Sequence, residues 1–356
     1  MRRAAEHSAG AYLASVMRAA EVDGWPAHLA AGFAQALEEL CEQSGLEAAA
    51  VCDPAQARTQ RCFSEAVDKQ AFAYLLAAAP LRDKARLLSV SGRGAGAWLG
   101  AIPSEALGYV LTPAEFTVLI KWWCGMDVFG SVFACPGCGA AMDKAGYHAL
   151  TCRRMGGFGV RHNALRELFL HFLSQADIPA EREAPSLLPG TAARPADIFV
   201  PNFAGNKPAC LDFAVTHTLQ PNILQCASVC GGAAAAQYEV AVKENKFGAQ
   251  CEAAGLILVP MVVEVFGRWG ERAQEGFALV AKACASRASE KVRAAGGHIR
   301  RSLSVGLQRL NARILLAHRD PQTEIFAEPV ATSLCLDSDL RPFEDGVADF
   351  LGGHLM

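Results

Sequence analysis

Three cysteines and one histidine lie close together in this chain, in the segment CPGCGAAMDKAGYHALTC. Two residues separate the first two cysteines, nine separate the second cysteine from the histidine, and three separate the histidine from the last cysteine. Zinc takes four sulphur or nitrogen ligands at tetrahedral corners, and this kind of spacing supplies them from one small loop. We therefore predict a zinc site formed by Cys135, Cys138, His148 and Cys152.

Protein side chains fill all four positions of this predicted site. The zinc is therefore expected to be structural, since a catalytic zinc keeps one position open for water. Gly137, Gly139 and Gly146 stand where a metal-binding loop has to turn tightly, which favours a site over a chance grouping in a chain with 13 cysteines. The sequence shows no secretory signal, so reduced thiols are expected rather than a disulfide framework.

Composition indicates a globular protein, with 52% hydrophobic and 19% charged residues. No apolar run reaches membrane-spanning length, so no membrane partner is expected. The net charge of −3 is not typical of a nucleic-acid-binding protein, but eight lysines and arginines between Lys282 and Arg313 are opposed only by Glu290. This basic stretch either follows a phosphate backbone or forms a solvated helix face, and both interpretations remain open.

Before the cysteine and histidine segment, apolar residues recur mostly at helical spacing. A glycine-rich segment at 91–103 lacks the preceding strand and the GK[ST] ending of a phosphate loop, so we interpret it as a turn between helices. The predicted helices cover residues 28–40, 69–88 and 113–125.

After that segment the pattern becomes mixed, with runs rich in Val, Ile and Phe between helical stretches. Helix, strand, strand, helix and strand follow one another, and this order predicts a small mixed sheet with helices packed on it. The predicted helices are 160–178, 233–255 and the segment 272–318, with a short helix near the carboxyl end, and the predicted strands are 193–203, 209–219 and 254–267.

The sequence thus predicts an α+β protein in four parts. These are a helical N-terminal region at 1–130, a small zinc knuckle at 131–156, a mixed-sheet α/β domain at 157–270 and a helical C-terminal extension at 271–356.

Two aspartates form a second candidate site. Asp197 stands at the head of one predicted strand, and Asp212 lies within the next, where a carboxylate in the apolar run CLDFAV is costly to bury without compensation. Two carboxylates on neighbouring strands can bind magnesium together with water and phosphate oxygens. Lys243 and Lys246 are three residues apart on the following helix, so we expect both on one face near the same sheet edge. Taken singly, each aspartate also has a structural interpretation.

From Cys135 to about Gly270 the chain resembles the C-terminal part of site-specific non-LTR retrotransposon proteins. In that family a CCHC zinc knuckle precedes a restriction-enzyme-like endonuclease of the PD-(D/E)xK fold. The matching pieces are, in order, the cysteine and histidine segment, RHNALRELF, RPADIF, LDFAV, KENKF and VPMVVEVFGRWG. The resemblance implies that the mixed-sheet domain is a restriction-endonuclease-like core.

The resemblance also implies roles for the acidic residues and lysines. Asp197 and Asp212 correspond to the acidic ligands of a catalytic Mg²⁺ or Mn²⁺. The lysine expected two residues after the second acid is absent, but the family can supply it from the following helix, in a K-x-x-K-aromatic pattern. Lys243 and Lys246 fit this pattern, and the resemblance favours Lys246 as the catalytic lysine.

Further candidate residues lie after the knuckle. Arg161 and His162 match a basic residue and histidine of the family, which implies contact with DNA phosphate, although capping of the helix is the alternative. His162 is also a competing candidate for the zinc. Glu167 and Glu183 are candidate additional metal ligands.

The function implied by the resemblance is a metal-dependent DNA endonuclease, with a zinc knuckle that aids DNA binding. DNA is the expected partner, with RNA of a parent element as a second, no small-molecule cofactor is expected, and the implied location is the nucleus. No reverse transcriptase signature occurs in the sequence, so the resemblance implies a truncated element or a host gene derived from one. The alternative is a catalytically decayed, zinc-dependent nucleic-acid-binding module.

Overall fold

The computed structural model describes residues 60–155, 157–204 and 207–318, together with positions 34–35, 37–39, 41–42, 45 and 47. The predicted helix at 28–40 lies only partly within these residues, and the short helix predicted near the carboxyl end lies outside them. Contacts between residues divide the chain into two compact units, Met1–Pro80 and Leu81–Met356. The four-part division made from the sequence remains a prediction.

The described residues form a mixed α+β fold, which confirms the predicted class. Helix α1 lies in the first unit and spans Gln60–Ala78. In the second unit the helices are α2 Leu81–Val90, α3 Pro113–Trp123, α4 Tyr147–Thr151, α5 Gly157–Gln175, α6 Leu224–Ala227, α7 Ala233–Tyr238, α8 Ala249–Ala253, α9 Glu271–Ala288 and α10 Val292–Ala317. The strands are β1 Phe133–Ala134, β2 Ala141–Met142, β3 Glu181–Arg182, β4 Ile198–Ala204, β5 Lys207–Thr216 and β6 Ile257–Glu264.

Two segments depart from ordinary α geometry. Ala95–Trp98 forms a single 3₁₀ turn, in agreement with the turn predicted for the glycine-rich segment. Glu239–Gly248 is a π-helix that joins α7 to α8 without a break. We refer to the continuous helix from Ala233 to Ala253 as the crossover helix. None of the described helices is long and apolar enough to span a bilayer.

The helix predicted at 69–88 is interrupted. The structure has α1 ending at Ala78 and α2 beginning at Leu81, with Pro80 between them. Proline lacks the N–H needed for an intrahelical bond and disfavours helical geometry in the preceding residue. The apolar spacing continues through the proline, and for that reason the prediction of one helix was wrong.

A four-stranded mixed sheet forms the centre of the second unit, in the order β3-β4-β5-β6. The pairs β3–β4 and β4–β5 are antiparallel, and β5–β6 is parallel. Two parallel neighbours need a long connection, which the crossover helix provides. This arrangement agrees with the mixed sheet predicted from the element order, whereas the two-residue strand β3 is too short to leave a sequence pattern.

The main core lies on one face of this sheet, beneath α5, α9 and α10. Ile198, Leu211 and Met261 contribute side chains from three strands, and Leu303 and Leu307 contribute side chains from α10. Each of these five residues is fully buried. The crossover helix covers the opposite face, so β5 is enclosed on both sides, which accounts for its nearly continuous apolar sequence.

Helix α3 brings the chain to the cysteine and histidine segment. It begins with Thr112 and Glu115, whose side chains each accept a hydrogen bond from the other residue's backbone N–H, and Pro113 occupies the first helical position. Near its end, the ring of Trp122 stacks on Phe266, with centroids 4.2 Å apart. This contact fixes α3 to the chain just beyond β6 and agrees with the helix predicted at 113–125.

Candidate functional site

The four predicted zinc ligands converge. Their ligand atoms, one from each residue, lie within 4.8 Å of one another. The Sγ atoms of Cys135 and Cys152 are 3.8 Å apart, and Cys138 Sγ lies 3.2 Å from His148 Nε2. Zinc–sulphur bonds of about 2.3 Å at tetrahedral angles place two sulphurs about 3.8 Å apart. The geometry therefore fits a four-coordinate metal of zinc size.

A short hairpin and a capped helix position these ligands. In the turn between β1 and β2, Gly139 N–H donates to Cys135 O at 2.8 Å, and Gly139 has a φ of 73°, which is unfavourable for other residues. Asp143 then accepts hydrogen bonds from the N–H groups of Tyr147 and His148, at 3.0 and 2.7 Å. This aspartate cap starts α4 and orients the histidine.

Burial differs among the three cysteines of this cluster, which we call the Cys3His centre. Cys135 and Cys152 are buried, whereas Cys138 is exposed. The N–H of Ala140 holds the pKa of the Cys138 thiol below its usual value, which favours the thiolate that binds metals. A set of four converging protein ligands leaves no open coordination position, so the arrangement is of the structural type.

The Cys3His centre packs into the body of the second unit. Cys135, Met142, Leu150 and Cys152 belong to one apolar cluster with residues of α3 and α10. Gly146 has a φ of 77°, and a Cβ at this position would lie 2.6 Å from the Leu315 side chain. The backbone at Gly146 therefore lies so close to α10 that a residue with a Cβ would clash with Leu315.

The two aspartates meet on the sheet face that the crossover helix covers. Asp197 precedes Ile198, which pairs with Leu211, and Asp212 follows Leu211 on the neighbouring antiparallel strand. Asp197 therefore lies opposite Asp212, close enough for each residue to affect the pKa of the other. The structure thus brings together the two acidic residues that the sequence predicted as one site, which we call the acidic site.

Each carboxylate has partners that hold it in place. Asp197 Oδ2 accepts a hydrogen bond from Phe213 N–H at 2.6 Å, and its Oδ1 lies 3.0 Å from His162 Nε2. Asp212 Oδ1 lies 2.7 Å from Lys243 Nζ, which also donates to Phe213 O at 3.3 Å. One histidine from α5 and one lysine from the crossover helix therefore flank the pair of aspartates.

The two aspartates have different electrostatic environments. Burial raises the pKa of Asp212 to about 6, and the charge of Asp197 adds to this effect while Lys243 opposes it. Burial also acts to raise the pKa of Asp197, but the hydrogen bond and charge of His162 and the Phe213 N–H outweigh it and hold that pKa below its ordinary value. At neutral pH both carboxyl groups are therefore mainly ionised, and His162, the Phe213 N–H and Lys243 offset most of the repulsion between them.

The two lysines of the crossover helix do not share a face. Lys243 is largely buried against Asp212, whereas Lys246 is exposed, with its Nζ 4.5 Å from the ring centroid of Phe247. Both residues lie in the π-helical stretch, where hydrogen bonds join residues i and i+5 and the turn is wider than in an α-helix. Positions three apart therefore diverge, and among the described contacts of these two lysines only that of Lys243 reaches an aspartate.

Arg161 is a second departure from the predicted site. Its side chain is 1% exposed, and its guanidinium donates to Leu150 O at 2.8 Å and to Asn311 Oδ1 at 3.0 Å. A guanidinium enclosed in this way does not reach a DNA phosphate. His162, its neighbour, is predicted as a DNA-contacting residue or a zinc ligand, but the structure brings it to Asp197.

Glu167 and Glu183 form ion pairs with arginine side chains. Glu167 pairs with Arg166 and Arg182, and Glu183 pairs with Arg166 at 2.5 Å and with Arg194 at 3.3 Å. Among the described residues, only the Cys3His centre groups three or more His, Cys, Asp or Glu side chains that could hold one metal ion. The acidic site therefore offers two carboxylates, which matches the one or two that magnesium ordinarily takes from a protein.

The basic stretch that begins at Lys282 contributes partly to the fold. Arg287 and Arg313 form ion pairs of 2.8 and 2.9 Å, and Arg309 donates to two backbone carbonyls of the loop before α3. These three side chains are therefore engaged within the protein.

Sequence reasoning missed the contact between His162 and Asp197 as well as the internal role of Arg161. The spacing of 35 residues between histidine and aspartate carries no local signal, because helix packing alone brings them together.

We compared the chain with known protein families, curated proteins and solved structures. No family model matches the chain, and no curated protein or solved structure is significantly similar to it.

Proposed function

We propose that this protein is a metal-dependent DNA endonuclease that hydrolyses phosphodiester bonds at the acidic site. The opposed positions of Asp197 and Asp212 on adjacent strands, with Lys243 Nζ 2.7 Å from Asp212 Oδ1, are the observation that carries the proposal. Two carboxylates and a lysine on one face of a sheet are suited to a hard divalent cation and a phosphate group.

The cation proposed for this site is Mg²⁺ or Mn²⁺, which when bound would activate water and neutralise charge on the phosphoryl group. Asp212 would hold it through Oδ2, the oxygen that Lys243 does not contact, and Asp197 would use a second lone pair of an oxygen that also accepts from His162 or from Phe213 N–H. Lys243 provides a positive charge beside these oxygens, where it would orient the attacking water or stabilise the phosphate as charge develops. Cleavage would leave a 5′-phosphate and a 3′-hydroxyl.

The order of elements supports the resemblance to the endonuclease region of non-LTR retrotransposon proteins. The chain runs from the Cys3His centre through α5, then β4 with Asp197 at its head, β5 with Asp212, the crossover helix with Lys243, and β6. The lysine comes from the helix after the second acid, as the resemblance implied. We propose Lys243 rather than Lys246 as the catalytic lysine, since Lys243 contacts Asp212.

The proposed metal of the Cys3His centre is structural zinc. Three cysteines and one histidine are soft or borderline ligands, which suit zinc better than magnesium or calcium. The exposed Lys246, Arg182 and Arg194 are candidates for contact with the DNA backbone, because phosphate contacts need accessible cationic side chains. A nuclear location and a second, RNA partner remain part of this proposal.

Nicking of supercoiled plasmid tests the proposal. Zinc-loaded protein is incubated with Mg²⁺ or Mn²⁺, and Asp212→Asn is compared with the wild type. We expect the wild type to nick the plasmid and the variant to lose at least about 100-fold in rate, since removal of one metal-binding carboxylate disables the site. Asp177→Asn is the matched control, because Asp177 lies on the surface and pairs only with Arg287 among its described contacts.

A zinc-dependent nucleic-acid-binding module without cleavage is the second candidate function. The observation that favours it is the pairing of both carboxylates with protein side chains, His162 and Lys243. Mobility-shift assays with duplex and single-stranded DNA distinguish the two. Binding that persists with no nicking under either metal would exclude the endonuclease and support the module.

A further inference from the structure

Consecutive residues of α5 contact the helix that carries His148 of the Cys3His centre and an aspartate of the acidic site. Arg161 donates to Leu150 O in α4, the short helix that carries His148 and leads directly to Cys152. The next residue, His162, places Nε2 3.0 Å from Asp197 Oδ1. A shift of this turn of α5 would therefore change contacts at both sites.

Arg161 holds the turn of α5 in place through three oxygens on three parts of the chain. Its partners are Leu150 O at 2.8 Å, Asn311 Oδ1 at 3.0 Å and Gly157 O at 3.3 Å. Asn311 in turn donates to Val265 O at 2.8 Å, immediately after β6. The guanidinium thus connects α4, α5 and α10, and through Asn311 it is fixed to the end of the sheet.

The contacts of Arg161 indicate that this residue does more than fill space in the core. All three partners of Arg161 are neutral carbonyl or amide oxygens, and burial lowers its pKa to about 10. A buried charge without a carboxylate partner is costly, and an apolar side chain of similar size would avoid that cost. An apolar side chain would not tie α4 to α5, because it offers no donors.

We propose that Arg161 is a positioning residue that couples the metal state of the Cys3His centre to the acidic site through His162. Metal bound to His148 and Cys152 fixes the position of α4. Through its hydrogen bond to Leu150 O, Arg161 then fixes the adjoining turn of α5, and this keeps His162 in contact with Asp197. The inference rests on the proposed function in that it takes Asp197 to be part of the working site. Two sites joined in this way have a coupling free energy that is reciprocal.

Nuclear magnetic resonance of ¹⁵N-histidine-labelled protein tests the coupling. The Nε2 resonance of His162, assigned by its disappearance in His162→Gln, reports the hydrogen bond to Asp197 without DNA or an added divalent cation. In Arg161→Met with zinc retained we expect this resonance to move toward the value of a solvent-exposed imidazole. Arg309→Met is the matched control, because Arg309 is partly buried and also donates to two backbone carbonyls, those of Gly108 and Val110, but has no described contact with α4 or Asp197.

Removal of zinc from the wild type by a chelator provides the second comparison. We expect the same shift of the His162 resonance as in Arg161→Met, and no additional shift when zinc is removed from that variant. Mn²⁺ affinity at the acidic site should fall about tenfold or more in both cases, as for loss of an outer-shell partner.

Three results would overturn the inference. They are an unchanged His162 resonance in folded Arg161→Met, an equal shift in Arg309→Met, and a zinc-dependent shift that is as large in Arg161→Met as in the wild type. If Arg161→Met does not fold, Arg161→Lys, which keeps the charge but reaches fewer oxygens, replaces it in the same comparison. Because the resonance is read without DNA, a failure of the coupling and an absence of nicking are separate results, and each is recognised without the other.

Discussion

At the scale of single residues, the acidic site combines groups that are unfavourable for the fold. Asp212 is 8% exposed and lies beside a second carboxylate, and its only cationic contact among the described residues is Lys243. Its pKa of about 6 means that the folded protein resists ionisation of this residue. Such an arrangement is typical of sites retained for chemistry, because a neutral residue would be easier to accommodate.

Asp212→Asn is therefore expected to stabilise the protein at neutral pH while it abolishes nicking. In the unfolded chain this carboxyl ionises near 3.8, and in the folded protein near 6. The gain at pH 7 in the absence of a divalent cation at the acidic site is up to roughly 3 kcal/mol, at 1.36 kcal/mol for each pKa unit. Thermal or urea unfolding of zinc-loaded wild type and variant measures it, and an equal or lower stability of the variant would contradict this account.

The same residue predicts a pH dependence of stability. Because the folded pKa is raised, the folded state binds more protons than the unfolded chain between about pH 4 and pH 6. Asp212 therefore does not lower the free energy of unfolding below about pH 4. As the pH rises from about 4 to 6, it lowers that free energy progressively. The difference in unfolding free energy between Asp212→Asn and the wild type should grow from pH 4 to pH 6 and then level off. A constant difference across this range would exclude the raised pKa.

At the scale of elements, the crossover helix determines which lysine reaches the aspartates. Its π-helical stretch carries both Lys243 and Lys246, and the wide turn directs them to different surroundings. Lys243 lies over β5, and its ammonium is 5.8 Å from the ring centroid of Tyr238. The helix therefore presents one buried and one exposed cation from a pattern that, in α geometry, would present two on one face.

Lys243→Met and Lys246→Met should separate these roles. If the proposed endonuclease function holds, we expect Lys243→Met to lower the single-turnover nicking rate by about 100-fold or more, since it removes the positive charge beside the two aspartates. Lys246→Met should leave that rate nearly unchanged and weaken DNA binding, with a smaller salt dependence of affinity because one phosphate contact is lost. The reverse pattern would return the catalytic role to Lys246.

The sequence predicted much of this architecture and the composition of both sites, and what it could not predict has physical causes. The Cys3His ligands are local, so their spacing alone indicated the centre. The pairing of Asp197 with Asp212 followed from the order of two apolar strands. Neither the π geometry around Lys243 nor the burial of Arg161 could be read from the sequence, because tertiary packing against the sheet and α10 decides both.

At the scale of the whole molecule, the second unit is organised around α10. This helix packs against α3, α4, α5 and α9 and belongs to both large apolar clusters. The Cys3His centre is therefore built into the core through α4 and is not an independent module. Loss of the zinc proposed for this centre is expected to affect the stability of the unit.

Cys138→Ser tests this integration. The variant should lose zinc, from one equivalent to almost none, and its melting temperature should fall by roughly 5–10 °C, since a structural zinc contributes folding free energy. Cys124→Ser is the control, because Cys124 is also exposed but lies outside the centre. An unchanged zinc content in Cys138→Ser would refute the ligand set.

The division of the chain at Pro80 leads to a prediction for the second unit alone. A fragment that begins at Leu81 keeps both sites and every residue of the two large apolar clusters. It should fold cooperatively, bind one zinc and nick plasmid, with a melting temperature within about 4 °C of the full chain. A fragment that is unfolded or that binds no zinc would show that residues 1–80 are needed for the fold.

The wide turn of residues 239–248 makes the acidic site sensitive to the length of a segment as well as to its residues. If one residue were deleted there, the helix could return to ordinary α geometry, and Lys243 would rotate away from Asp212. The sheet and its two aspartates would keep their places. A change of length in this short stretch is thus a route by which related chains could lose the lysine from the site, or exchange one lysine for the other, while every strand and both acids are retained.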